Sequence, residues 1–90
     1  METRVALIGI IVENTQCVQE VNNILHTYNQ YIIGRMGLPY PKKQVNIISV
    51  VVDAPQDIIS NISGKIGKLK GISTKTAYSN VISGVHNENS

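Results

Sequence analysis

The side chains best suited to nucleophilic attack, soft-metal binding or proton transfer near neutral pH are one cysteine, Cys17, and two histidines, His26 and His86. In the first turn of a predicted helix, Cys17 would have its thiolate favoured by the helix dipole. No base accompanies it, and a free cysteine in such a place serves as a small packing residue. Nine positions separate Cys17 from His26. At about 100° per residue that is about half a turn, so the two do not share a metal site within one chain. His26 falls near a predicted helix C-terminus, where a cation is favoured, and His86 falls in a polar tail. No catalytic residue, metal ligand or cofactor is assigned, and the expectation is a protein that is not an enzyme.

The run Ile33-Gly34-Arg35-Met36-Gly37-Leu38-Pro39-Tyr40 is more distinctive. Two glycines flank an arginine in a predicted strand, where glycine normally weakens structure. Such glycines suit a bulge, a close backbone approach or a ligand. The planar guanidinium of Arg35 can hold a carboxylate or phosphate with two parallel hydrogen bonds. The competing reading is a twisted strand with a surface arginine. Gly34, Arg35, Met36 and Gly37 are the candidates for contact with a small anionic ligand or a neighbouring subunit.

Ser63-Gly64-Lys65-Ile66-Gly67-Lys68 lacks the spacing of a phosphate loop and ends a predicted helix instead of preceding one. Its glycines are expected where the helix packs closely on the sheet or on a neighbouring subunit. Lys65, Lys68, Lys70 and Lys75 are expected to form a modest basic patch.

Hydrophobic periodicity supplies the elements that must position these groups. Thr3 to Glu13 reads as a strand. A helix follows, capped by Asn14 or Thr15, with Val18, Val21, Ile24, Leu25 and Tyr28 as its apolar stripe. Tyr31 to Tyr40 is a second strand, closed by Pro39, and Gln44 to Val52 a third. Asp53 or Ala54 is the expected cap of a second helix with Pro55 in its first turn. The stripe of that helix is Ile58, Ile59, Ile62, Ile66 and Leu69. Gly71 suits a turn of positive φ, and Ile72 to Ser79 is a fourth strand. The order β-α-β-β-α-β predicts an α+β, ferredoxin-like sandwich, with a four-stranded antiparallel sheet and both helices on one face. One domain over residues 1–80 and a polar tail over 81–90 are expected.

The strand pattern departs from that of a monomer, whose second sheet face is polar. Val5, Leu7 and Ile11 oppose Ala6, Ile8, Ile10 and Val12. Val45, Ile47 and Val51 oppose Ile48, Val50 and Val52. Strands one and three are therefore apolar on both faces, which predicts self-association through the face without helices. Alternation alone does not say which set lies under the helices; Ile10 and Ile48 are first placed on the self-association face.

Composition narrows the classes further. The chain has 90 residues, of which 42% are hydrophobic and 16% charged, and a net charge of +2. That is globular and only weakly basic. No apolar run reaches the ~20 residues of a membrane span, and Met1-Glu2-Thr3-Arg4 does not open a signal peptide. With one cysteine no internal disulfide forms, which fits a reducing cytoplasm. RNA readers of this fold stack bases on strand aromatics. Phe and Trp are absent and strands one and three have no Tyr. No helix-turn-helix or basic arm points to DNA. Neither nucleic acid nor a membrane is an expected partner.

Three segments together, Ala6 to Glu13, Tyr31 to Tyr40 and Ile58 to Tyr78, resemble the family of iron-only hydrogenase system regulators. The resemblance runs from about Arg4 to Tyr78. It implies a ferredoxin-like fold of the ACT-like type, related to the ligand-sensing domain of nickel-responsive repressors. It also implies association with the maturation or control of [FeFe] hydrogenase. Those repressors hold metal with strand histidines and carry a DNA-binding arm. This chain has no histidine on a predicted strand and no room for the arm before Arg4, so neither property carries over. Together these readings predict a non-enzymatic, oligomeric regulatory module. It would bind a small ligand between subunits, and a hydrogenase-system protein is a further expected partner. The alternative is a scaffold for hydrogenase maturation that senses no ligand.

Overall fold

The computed structural model describes residues 2–82. Strand β1 (Arg4–Val12) leads through a 3-10 turn (Thr15–Cys17) into helix α1 (Val18–Thr27). A second 3-10 turn (Asn29–Tyr31) enters β2 (Ile32–Tyr40), and a third (Pro41–Lys43) connects it to β3 (Val45–Ala54). Helix α2 (Gln56–Gly67) and β4 (Ile72–Ile82) complete the order. The sheet runs β2-β3-β1-β4 with every neighbour antiparallel. This is the ferredoxin-like α+β arrangement expected from the sequence.

One alternation set of the central strands is the core. Ala6 pairs with Val52, Ile8 with Val50 and Ile10 with Ile48, and all six side chains are buried. Val21 and Leu25 of α1 and Ile59, Ile62 and Ile66 of α2 close over them. Each aliphatic side chain buried in this way contributes roughly 1.5–3 kcal/mol. No polar or charged residue is buried among the described residues, and at the margins of this apolar contact α2 is also tied to β4 by hydrogen bonds of Gln56 with Tyr78 at 2.9 Å and Ser63 with Thr76 at 3.0 Å. Ile10 and Ile48 therefore belong to the core, not to the helix-free face. The opposite set, Val5, Leu7 and Ile11, is the exposed one.

Several boundaries differ from the sequence reading for physical reasons. Pro39 does not close β2. It lies within the strand opposite Asn46, on a sheet edge where a missing N–H breaks no ladder. Pairing with Arg4 carries β3 as far as Ala54, so Pro55, not Asp53 or Ala54, is the N-cap of α2. Its carbonyl accepts from the amides of Ile58 and Ile59 at 3.0 and 3.1 Å. Strand β4 continues past Ser79 to Ile82, beyond the expected domain edge at residue 80. His86 and the tail segment from Gly84 to Ser90 lie outside the described residues.

The expected Asn14 cap sits on the 3-10 turn that precedes α1, whereas the N-cap of α1 itself is Cys17, which makes no side-chain capping bond. The Asn14 side chain accepts from the Gln16 amide at 3.1 Å. Gly71 carries φ +77°, and its carbonyl accepts from the Glu13 amide at 2.8 Å. A Cβ at Gly71 would lie 2.8 Å from the Cβ of Asn14. The α2–β4 turn is thus pressed against the β1–α1 turn. Close packing does not explain Gly64, where an added Cβ meets nothing within 4 Å. At Gly67 the nearest atom is the Thr74 hydroxyl at 3.5 Å, an ordinary contact.

Two glycine substitutions should therefore act in opposite directions. Gly71→Ala forces a disfavoured φ and a clash, and should lower the unfolding free energy by about 1–3 kcal/mol. Gly64→Ala lies in an open helix position and should raise it by roughly 0.5–1 kcal/mol. Urea titration of the two variants beside the parent checks both signs.

Candidate functional site

Antiparallel pairing divides the four candidate residues between the two sides of β2. Gly34 opposite Val51 and Met36 opposite Ser49 share the helix-free side. Arg35 opposite Val50 and Gly37 opposite Ile48 lie on the helix side. The register slips between Ile32 and Gly34, so Ile33 is a bulged residue; it is 62% exposed. The bulge is one of the purposes foreseen for the glycines. Close backbone approach, also foreseen, is absent, because a Cβ at Gly34 or Gly37 would meet nothing within 4 Å.

Arg35 reaches α1, where its Nη2 donates to the Asn22 side-chain oxygen at 2.6 Å. It borders a hollow of about 200 Å³ between α1 and β2, with Val18, Asn22, Gly37 and Ile48 among the walls. The missing side chain at Gly37 leaves the floor of the hollow low. One guanidinium with a neutral partner retains unspent donors. Donors of this kind suit a small carboxylate or phosphate group.

A larger groove, about 760 Å³, opens at the end of the sheet where the β1–α1 turn faces the β2–β3 connection. Glu13, Asn14, Thr15 and Gln16 form one wall, and Pro39, Tyr40, Pro41, Gln44, Val45 and Asn46 the other. Gln44 takes a left-handed φ of +57°, which ends the 3-10 turn and starts β3. Pro39 and Asn46 line both hollows. The sequence reading missed this groove because its two walls are 23 or more positions apart. The available signal was the topology, which brings the first turn and the central hairpin to the same end of the sheet.

Cys17 is buried and its Sγ lies 3.5 Å from the carbonyl of Lys70. Burial and then the nearby Glu20 carboxylate push its thiol pKa up, so helix-terminus activation does not prevail. The lysines do not form one patch. Lys75 pairs with Gly9 on the helix-free face, whereas Lys65 on α2 lies over the ring of Tyr28 at 5.1 Å. Among the described residues no group of three His, Cys, Asp or Glu side chains could hold a metal ion. No helix among them is long and apolar enough to cross a membrane.

Comparison with known proteins gives a consistent picture. A family profile described as "TM1266-like: Iron-only hydrogenase system regulator, putative" matches residues 4–76. Among solved structures, the uncharacterized protein TM1266 from Thermotoga maritima is similar, with a TM-score of 0.81 and 30% identity. That match covers 84% of this chain and 96% of TM1266. A formyltetrahydrofolate deformylase from Pseudomonas putida KT2440 shares the fold at a TM-score of 0.64 and 11% identity. The match covers 86% of this chain but only 29% of the deformylase. No curated protein matches the chain.

The environment of Cys17 sets two measurable outcomes. Iodoacetamide at pH 8 should alkylate the folded chain far more slowly than the urea-unfolded chain. Above the ordinary thiol value, ~8.5, the unfolded chain gives up a proton that the folded chain retains. Stability should then fall as pH rises through that range toward the folded value. Cys17→Ala should reduce this slope in melts taken from pH 7.5 to 10.

Proposed function

The chain belongs to the TM1266-like family, whose members are described as iron-only hydrogenase system regulators, and on that premise we propose that it is a non-enzymatic regulatory module that assembles with copies of itself through the helix-free face of its sheet. The observation that carries this reading is the apolar character of that face. Leu7 is 46% exposed, Leu38 56% and Met36 66%, with Ile11, Ile47 and Val51 beside them. A lone chain would leave this surface wet, and contiguous apolar patches of this kind mark interaction sites.

A second copy suits the face in area and charge. Four strands about 4.8 Å apart, with nine residues of about 3.3 Å each, span roughly 600 Å² before side-chain relief is counted. A standard interface takes roughly 800 Å² from each partner. In the paired stretch Asp53, opposite Val5, and Lys75, opposite Gly9, bring one charge of each sign. Two copies can therefore meet without net repulsion across an apolar centre.

On this reading the module works in the cytoplasm and answers a small anionic ligand at Arg35 by changing its assembly or its hold on a hydrogenase-system protein. Such a ligand acts only if it binds one assembly state better than the other. A scaffold that senses nothing is the second reading. It draws support from the Asn22 hydrogen bond, which gives Arg35 a structural task within its own chain.

Light scattering at micromolar concentration tests the assembly. The parent chain should show a mass above one chain. Leu7→Lys and Leu38→Lys should lower that mass while unfolding free energy stays within about 1 kcal/mol. Ile10→Lys, which buries a charge, should instead unfold the domain. A parent mass of one chain would remove the reading.

Thermal shift against a panel of small carboxylates and phosphates tests the ligand. Any that binds should stabilise the parent by ~2.7 kcal/mol at 100 times its Kd. Arg35→Lys and Arg35→Ala should lose that response with fold and mass unchanged. Silence of the parent across the panel would favour the scaffold.

A further inference from the structure

We infer that the groove at the end of the sheet, between residues 13–16 and 39–46, is a binding site for an uncharged, planar nitrogen heterocycle of the nucleobase type. Its walls hold polar side chains that the chain leaves unspent. Thr15, Gln16, Gln44 and Asn46 all line the groove, and the hydrogen bonds of the described residues use none of these four side chains. Asn14 has committed its side-chain oxygen to the Gln16 amide, which leaves its two N–H donors. A carboxamide offers a donor and an acceptor side by side. That pair matches the adjacent N–H and C=O, or amino and ring nitrogen, along the edge of a nucleobase. Three wholly unspent carboxamides, Gln16, Gln44 and Asn46, stand on facing walls and, with the free N–H donors of Asn14, form a reading surface for such an edge.

The wall that carries Gln44 and Asn46 also supplies a flat apolar contact. Tyr40, 43% exposed, stands between Pro39 and Pro41. An aromatic side chain accepts a base on its face whatever the base. The volume of about 760 Å³ lies within the range of small-molecule sites.

Charge sets the class. Glu13 is the one ionisable acid in the lining, and neither Lys nor Arg contributes to it. A phosphate or carboxylate placed there would meet that carboxylate at the wall, and Lys42 and Lys43 of the adjoining turn are not among the lining residues. The groove therefore differs in preference from the Arg35 hollow, although the two share Pro39 and Asn46.

The inference does not depend on self-association, and the experiment reads the two separately. Amide and side-chain NMR signals of the full chain are followed while adenosine, cytidine or uridine is added, and then the corresponding 5′-monophosphate. Light scattering accompanies each endpoint. At least one nucleoside should shift the signals of Gln16, Tyr40, Gln44 and Asn46, with binding about tenfold tighter than that of its monophosphate. Glu13→Gln should narrow that gap while leaving nucleoside binding in place, and Tyr40→Ala should weaken the nucleoside at least tenfold. Absence of shifts with all three nucleosides at millimolar concentration would overturn the inference, as would tighter binding of the monophosphate. Nucleoside binding to a chain of monomeric mass would uphold it while refuting the assembly reading.

Discussion

The structure depends on the pairing of β1 with β3. Nine consecutive residue pairs, from Arg4 with Ala54 to Val12 with Asn46, hold one register without a slip. In a strand, successive side chains point to opposite faces, so this register places Ala6, Ile8 and Ile10 beside Val52, Val50 and Ile48. A shift by one residue would move every one of them to the other face. The helices then have one place to go. Val21, Leu25, Ile59, Ile62 and Ile66 cover the same side, and the apolar residues left over on the other side have no cover among the described residues.

That leftover set connects packing to function. A ferredoxin-like sheet with helices on one face needs only one apolar set to fold. This chain supplies a second, on Leu7, Ile11, Ile47 and Val51 and, at the edge, on Met36 and Leu38. Retaining it against the cost of exposure is understandable if it is covered by another molecule. The features around it differ in chemistry. Arg35 lies on the opposite side of β2, bonded to Asn22. The carboxamide-lined groove lies at the sheet end, where Tyr40 and Val45 adjoin the apolar face. On the proposed reading the module has separate surfaces for assembly and for small molecules, joined by one edge strand.

The element order, the two helical stripes, the Asn14 cap and the positive φ of Gly71 were legible because each has a local cause. The apolar character of both faces was legible from alternation in β1 and β3. The assignment of the core face was not, since neither set is marked by polar residues, and Ile10 and Ile48 were placed on the wrong side. Pro39 read as a strand end because its place on a sheet edge is a tertiary fact. The start of α2 moved from Asp53 or Ala54 to Pro55 because pairing with Arg4 prolonged β3. The Gly34–Gly37 run was visible as a motif, but its division between two faces depends on the register with β3. The groove was hidden altogether, because its walls meet only once the first turn and the hairpin reach the same end of the sheet.

The central claim is that a second copy covers the helix-free face. An isotope-filtered NOE measurement on a mixture of labelled and unlabelled chains tests it most directly. The account predicts intermolecular contacts at the methyl groups of Leu7, Ile47, Val51 and Leu38, and none at the core methyls of Ile8, Ile62 or Ile66. Free-face methyls that show no contact with an unlabelled chain, and that exchange magnetisation only with water, would contradict it.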